Sequence, residues 1–153
     1  MRNLQRPGRS PVMASNAMIA TSHPLASQVG IDIMKSGGNA VDAAIAACAT
    51  LCVVEPAMTG IGGDCFALYS PAGSTVPLAL NGSGRAPKAA SVDGIRAQGI
   101  STIEVQSAHA VTVPGAIAAW TKLNADHGHK SMEELLAPAI NYAQNGFPVM
   151  HRV

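Results

Sequence analysis

The chain has 153 residues, enough for one domain with a real core or for one piece of a larger protein. Hydrophobic residues make up 48% of it, charged residues 12% and aromatics 3%, so the core has to be built from small aliphatic side chains and close backbone contacts, with little charged surface left over. Ten Lys and Arg against nine Asp and Glu leave a net charge of +1, which excludes a basic nucleic-acid or membrane-surface footprint.

Residues 1–9 carry Arg2, Arg6 and Arg9 and read as a loose, flexible N-terminal arm without the apolar run of a secretory signal. The short apolar runs Pro11 to Ala14 and Ala17 to Thr21, around Ser15-Asn16, suggest a small hairpin. Ser22-His23-Pro24 then opens a helix, with Ser22 as its cap and Pro24 in its first turn. Leu25, Val29 and Ile33 form its stripe, Lys35 suits its negative end, and Gly37-Gly38 stop it.

A second helix runs from near Asn39 to Glu55-Pro56. Val41, Ile45, Cys48 and Cys52 share one face, and its other faces are mostly alanine. A helix apolar nearly all round is a buried one, so it is expected at the centre, against the strand that follows. Interrupted by Asp42 and Thr50, it is shorter than the roughly 20 apolar residues that span a bilayer. A soluble, cytoplasmic protein is the expectation.

Gly60-Ile61-Gly62-Gly63-Asp64 leads into a strand over Asp64 to Ser70, and a second strand follows over Val76 to Leu80. Glycine-rich turns can cradle phosphate at a helix N-terminus, but here the glycines follow a helix and enter a strand. A tight turn with backbone against backbone is the better reading. Asn81 to Pro87 is a loop containing Arg85, Ser91 to Gln98 a short helix, Gly99 to Ser107 irregular, and Ala110 to Val113 a brief extended run. Pro114 opens a helix through His127 with Ile117, Trp120 and Leu123 on its face. The last helix starts at the capping box Ser131 to Glu134, carries Pro138 as a kink, and ends at Gly146.

The residues that could carry chemistry are few. Cys48, Cys52 and Cys65 are odd in number, without a disulfide framework or a His pair at zinc-like spacing, and read as core residues. His23, His109, His127, His129 and His151 form no cluster, and His127 and His129 fall in a polar interhelical turn where solvent reaches them. No serine or cysteine has the flanking pattern of a nucleophile. No metal site and no cofactor site is expected.

Several stretches together carry a resemblance: Ala20 to Ala26, Gly37-Gly38-Asn39-Ala40-Val41-Asp42-Ala43-Ala44, and Val54-Glu55-Pro56 leading into Gly60 to Gly63. Later come Val111-Thr112-Val113-Pro114-Gly115-Ala116, Leu135 to Ile140 and Gly146-Phe147-Pro148-Val149. In this order they resemble the γ-glutamyltranspeptidase (γ-glutamyltransferase) family of N-terminal-nucleophile (Ntn) hydrolases, over roughly residues 9–153. The resemblance implies an α/β (α+β) fold, the incomplete N-terminal portion of an αββα sandwich, with 10–153 as part of the large-subunit domain. It implies a precursor that cuts itself in two, whose newly exposed threonine attacks the γ-glutamyl amide of a glutathione-like substrate with its own α-amine as base. That threonine is expected downstream of Val153. Thr59 and Thr112 are then turn or strand hydroxyls, and this chain alone is inactive.

The resemblance also implies an arginine, just before an Ala-Pro pair, that clamps the substrate α-carboxylate. Arg85-Ala86-Pro87 supplies one, set closer to the proline than in the best-known members and with no acid after it. This spacing is similar to the γ-glutamyltransferase-like branch, which makes acylase activity on other amides the neighbouring alternative. The implied partners are the remainder of the large subunit, the small subunit and the small-molecule substrate, with no nucleic acid and no membrane. A non-catalytic truncated product and a nucleotide-binding module using Gly60 to Asp64 are the competing readings.

Overall fold

The computed structural model describes residues 11–150, so the arm expected over 1–9 lies outside the described residues. The element order is α1 (Pro24–Lys35), α2 (Ala40–Val54), β1 (Cys65–Tyr69), β2 (Leu78–Gly82), α3 (Val92–Ala97), α4 (Ala116–His127) and α5 (Met132–Asn145), with a 3-10 turn at Ala108–Ala110. One helix, α4, packs on a small two-stranded antiparallel sheet and joins it to the cluster of α1, α2 and α5, an α+β arrangement.

No hairpin forms over 11–21, which is extended coil. Two short strands with no sheet to join bury too little to persist, and Ile19 instead lies against Gly30 and the helical core. His23, not Ser22, caps α1: its Nδ1 accepts from the Leu25 N–H at 3.2 Å. The Ser22 hydroxyl donates to Glu55, tying the start of α1 to the end of α2. At the other end Gly37 takes φ +94°, a left-handed value that stops the helix without strain.

α2 begins at a capping box in which the Asn39 side chain accepts from Val41 and Asp42, and Asp42 accepts from the Asn39 N–H. It is the most buried helix: Val41, Asp42, Ala43, Ile45, Ala46, Ala47, Ala49, Thr50 and Val54 are all inside, with Cys48 and Cys52 half-buried. Its principal neighbours are α1 and α5, joined by α4, rather than the strand expected there. β1 faces α2 across an apolar cavity of about 300 Å³ lined by Val41, Ile45, Cys48, Cys65, Tyr69 and Trp120. Alanines bring helix backbones close together. They leave a gap where a flat strand would need larger side chains to fill it.

β1 and β2 pair in the register Cys65↔Gly82 to Tyr69↔Leu78. The second strand therefore starts two residues later than its apolar run and continues into the expected loop. Val76 is held instead in the connecting turn, where the Ser74 hydroxyl bonds both its N–H and its carbonyl. Cys65, Ala67 and Tyr69 face the helices, while Phe66 and Leu68, 69% and 80% exposed, cover the opposite face. The helix packed on the sheet is α4, whose Ala119 sits over Gly82.

α4 starts two residues after Pro114 and turns Ala116, Ala119 and Trp120 inward, leaving Ile117 exposed rather than on the packed face. Of the extended run expected over Ala110 to Val113, Ala110 closes the 3-10 turn and Val111 is extended. α5 runs unbroken through Pro138, whose ring does not divide it. Its first turn is closed by Ser131 and Glu134. The Ser131 backbone N–H, the Lys130 ammonium and the Ser131 hydroxyl hold the Glu134 carboxyl down from 4.5 to about 2. A depressed folded value means the capping contribution is present above the ordinary carboxylate range and is lost as pH falls toward about 2. Glu134→Gln should lower the urea midpoint at neutral pH, and the gap to the parent should close across that window. A gap that stays constant with pH would show that the charge of the cap contributes nothing.

Candidate functional site

Three backbone segments meet beside the sheet: the turn Gly60 to Asp64, the exit of β2 through Ser83 to Pro87, and residues 112–116 entering α4. At their centre is Asp64. Its Oδ1 accepts from the Gly84 N–H at 2.8 Å and from the Thr112 hydroxyl at 3.1 Å. The Val113 N–H donates to the Arg85 carbonyl at 2.9 Å. One segment over, the Gly115 and Ala116 N–H groups both donate to the Gly63 carbonyl, at 3.1 and 3.0 Å.

The approach is so close that side chains are excluded. A Cβ on Gly84 would overlap the Val113 carbonyl, and one on Gly115 would overlap that of Gly82. The expectation of backbone against backbone is met here, although the contacts gather at Gly63, Gly82, Gly84 and Gly115, whereas Gly60 and Gly62 face open space. The turn itself speaks against a phosphate cradle. The Gly60 to Asp64 turn leads into β1 rather than a helix N-terminus, and it presents the Asp64 carboxylate.

Arg85 leaves this knot with its backbone fixed on both sides and its side chain exposed. Among the described residues its guanidinium joins neither of the ion pairs, which are Lys122–Asp126 and Lys130–Glu134. It is a free bidentate donor on a held segment, the property that recognition of a carboxylate needs. Sequence reasoning singled out Arg85 but missed Asp64 and Thr112. They lie 20 and 48 residues from their partners and carry no local signal.

The cysteine thiols and the Thr50 and Thr112 hydroxyls are unsuited to nucleophilic attack. Burial pushes the Cys48 thiol up, reinforced by Cys65 and Cys52, and burial likewise raises Cys52 and Cys65. All three are free thiols lining or flanking the apolar cavity. Thr112 is occupied by Asp64 and Thr50 by the Ala46 carbonyl, both structural uses of a hydroxyl. His127 is not solvated as expected: it is half-buried and lies 4.6 Å from the Tyr69 ring. Among the described residues no group of three His, Cys, Asp or Glu could hold a metal, and no helix is long and apolar enough to cross a membrane.

Comparison with known proteins places the chain in a family. The profile of the Gamma-glutamyltranspeptidase family matches residues 26–153. The chain is 42% identical to the glutathione hydrolase-like YwrD proenzyme of Bacillus subtilis (strain 168), over 90% of its own length and 26% of that protein's. Among solved structures it is similar to γ-glutamyltranspeptidase of Helicobacter pylori, with TM-score 0.81 and 33% identity over 90% of this chain and 40% of that one. It is also similar to cephalosporin acylase from Bacillus halodurans, with TM-score 0.80 and 41% identity over 97% of this chain and 29% of that one. The chain thus spans about a quarter of the length of the curated relatives it matches.

Proposed function

Because the chain belongs to the γ-glutamyltranspeptidase family, we propose that it is the N-terminal part of the large subunit of an Ntn amide hydrolase or transferase, supplying framework and substrate binding while the nucleophile comes from elsewhere in the precursor. The observation that carries this reading is the pairing of a pinned, unpaired Arg85 with the lack of an activated nucleophile among the described residues. The relatives it matches are proenzymes by name and far longer. The exposed apolar face of the sheet, Phe66 and Leu68 with Ala79 paired beside Leu68, is surface that the rest of a large subunit and a small subunit would cover. Three free thiols fit work in the reducing cytoplasm.

Arg85 is the α-carboxylate clamp in this reading. Its guanidinium takes two carboxylate oxygens in parallel hydrogen bonds, which orient the γ-glutamyl amide as well as attract it, and lysine cannot reproduce that fork. The catalytic threonine, freed by autocleavage, then attacks the amide carbonyl with its α-amine as base, and water or an acceptor amine takes the acyl group.

In the complete processed enzyme, Arg85→Lys should weaken productive binding of a γ-glutamyl anilide by about 1.5–3 kcal/mol, the scale of a hydrogen bond to a charged group. It should leave a 4-aminobutanoyl anilide, which lacks the α-carboxylate, nearly unchanged. Equal losses on both would make Arg85 structural, and no loss on either would make it a surface residue. The 153-residue chain alone serves as the negative control and should turn over neither. A second reading, an acylase for other amides, is favoured by the likeness to cephalosporin acylase. It predicts that an acyl chain without an α-amino acid head is the better substrate.

A further inference from the structure

Asp64 is the one carboxylate among these three segments, and its Oδ1 is taken by the protein itself. Oδ1 takes the N–H of Gly84, the residue before Arg85, and the hydroxyl of Thr112, the residue before the Val113 whose N–H holds the Arg85 carbonyl. The two bonds bring the exit of β2 and the entry to α4 onto the same oxygen. A β2 exit with glycines at 82 and 84 has wide backbone freedom, so a side chain leaving it has no set direction unless the backbone is held from outside. Asp64 and Val113 are the two holds, one on each side of the Arg85 Cα.

We propose that Asp64, with Thr112 orienting its carboxylate, is a positioning residue that fixes the backbone from which the Arg85 side chain projects and thereby supports the selectivity for substrates bearing an α-carboxylate. This deepens the carboxylate-clamp reading and rests on it. Asp64 acts by removing the alternative loop conformations over which the Arg85 Cα would otherwise be spread, so that less loop ordering remains to be done when the carboxylate binds. A charged acceptor does this better than an amide, because the bond from Gly84 is charge-assisted.

The test uses the complete processed enzyme with Asp64→Asn, Thr112→Val, Arg85→Lys and the Asp64→Asn/Arg85→Lys double variant. Asp64→Asn keeps side-chain volume, and Thr112→Val removes only the hydroxyl, so both should fold. With the γ-glutamyl anilide, Asp64→Asn should raise KM about tenfold, the loss of one charge-assisted bond, with kcat little changed. Thr112→Val should act in the same direction and less. The 4-aminobutanoyl anilide should respond to neither. Hydrogen exchange should quicken in peptides covering 82–87 and 111–115. The double variant should bind the γ-glutamyl anilide no worse than Arg85→Lys, because a residue that acts through Arg85 has nothing left to position.

If Arg85→Lys is selective while Asp64→Asn is silent, or if their losses multiply, Asp64 does not act through Arg85 and the inference is overturned while the clamp stands. If Arg85→Lys shows no selectivity, the clamp reading fails. Hydrogen exchange then decides for Asp64 by itself: unchanged exchange around Gly84 and Val113 in Asp64→Asn overturns its role in fixing the loop, and quickened exchange retains it.

Discussion

Ala46→Arg should unfold the protein or cost it on the order of 4 kcal/mol or more, because it places an unpaired charge where no water and no partner reach. Ala46 is 0% exposed, midway along α2, and belongs to the cluster that includes Val29, Ile33, Ile45, Trp120 and Leu135. The long side chain has no route outward, since α1 and α5 close over the helix on both sides. Against a total stability of about 5–15 kcal/mol, a loss of this size removes much of the folded population. Ala44→Arg is the comparison: Ala44 is on the same helix but exposed at the rim of the apolar cavity, where a long side chain can bring its charge to water, so its substitution should cost much less than that of Ala46. Urea unfolding followed by far-UV dichroism gives both numbers. Equal midpoints for Ala46→Arg and the parent would show that α2 is not the centre of the core.

The second large effect belongs to Asp42. Its carboxylate is fully buried and accepts from the Asn39 N–H at 2.8 Å, from the His129 N–H at 3.1 Å to both oxygens, and from the Lys130 N–H at 3.4 Å. Beside it the Asn39 amide donates to the His127 carbonyl at 2.5 Å. One side chain thus caps α2 and holds the turn between α4 and α5 against it, across 87 residues of sequence. Asp42→Ala leaves these part-buried amides without their shared acceptor and should cost about 3 kcal/mol, since each orphaned amide carries a penalty of about 1–3 kcal/mol. Asp42→Asn keeps one acceptor oxygen and turns an NH₂ toward the donors, so it should lose less. Hydrogen exchange at His129 and Lys130 should rise in both. An Asp42→Ala variant as stable as the parent would mean that the turn is held by α5 packing alone.

Some of this was legible from residue order because its cause is local. The boundaries of α2 follow from Asn39, Asp42 and Pro56, and the start of α5 from Ser131 and Glu134. Caps and prolines act over three or four residues, which is also the range of a sequence pattern. Burial of α2 was legible for a similar reason: an alanine-rich helix with no polar face has to be covered on all sides. The glycines around Gly63 announced a close approach, and the order of short signatures pointed to the family that the comparisons show.

What only the tertiary structure decided was who meets whom. The α2 helix was expected on the strand after it, yet its neighbours are α1 and α5. Nothing in a helix apolar all round says which side a given partner takes. His23 rather than Ser22 caps α1 because the Ser22 hydroxyl is drawn to Glu55, 33 residues away. The register of β2 is set by pairing with β1, which carries the strand past its apolar run to Gly82. The hold on Arg85 lies furthest from the reach of sequence, since Asp64, Gly84 and Thr112 become a unit only when three separate segments arrive at one carboxylate oxygen. Local propensity is additive along the chain, and such a junction is not: it exists only once chain closure has brought its parts together.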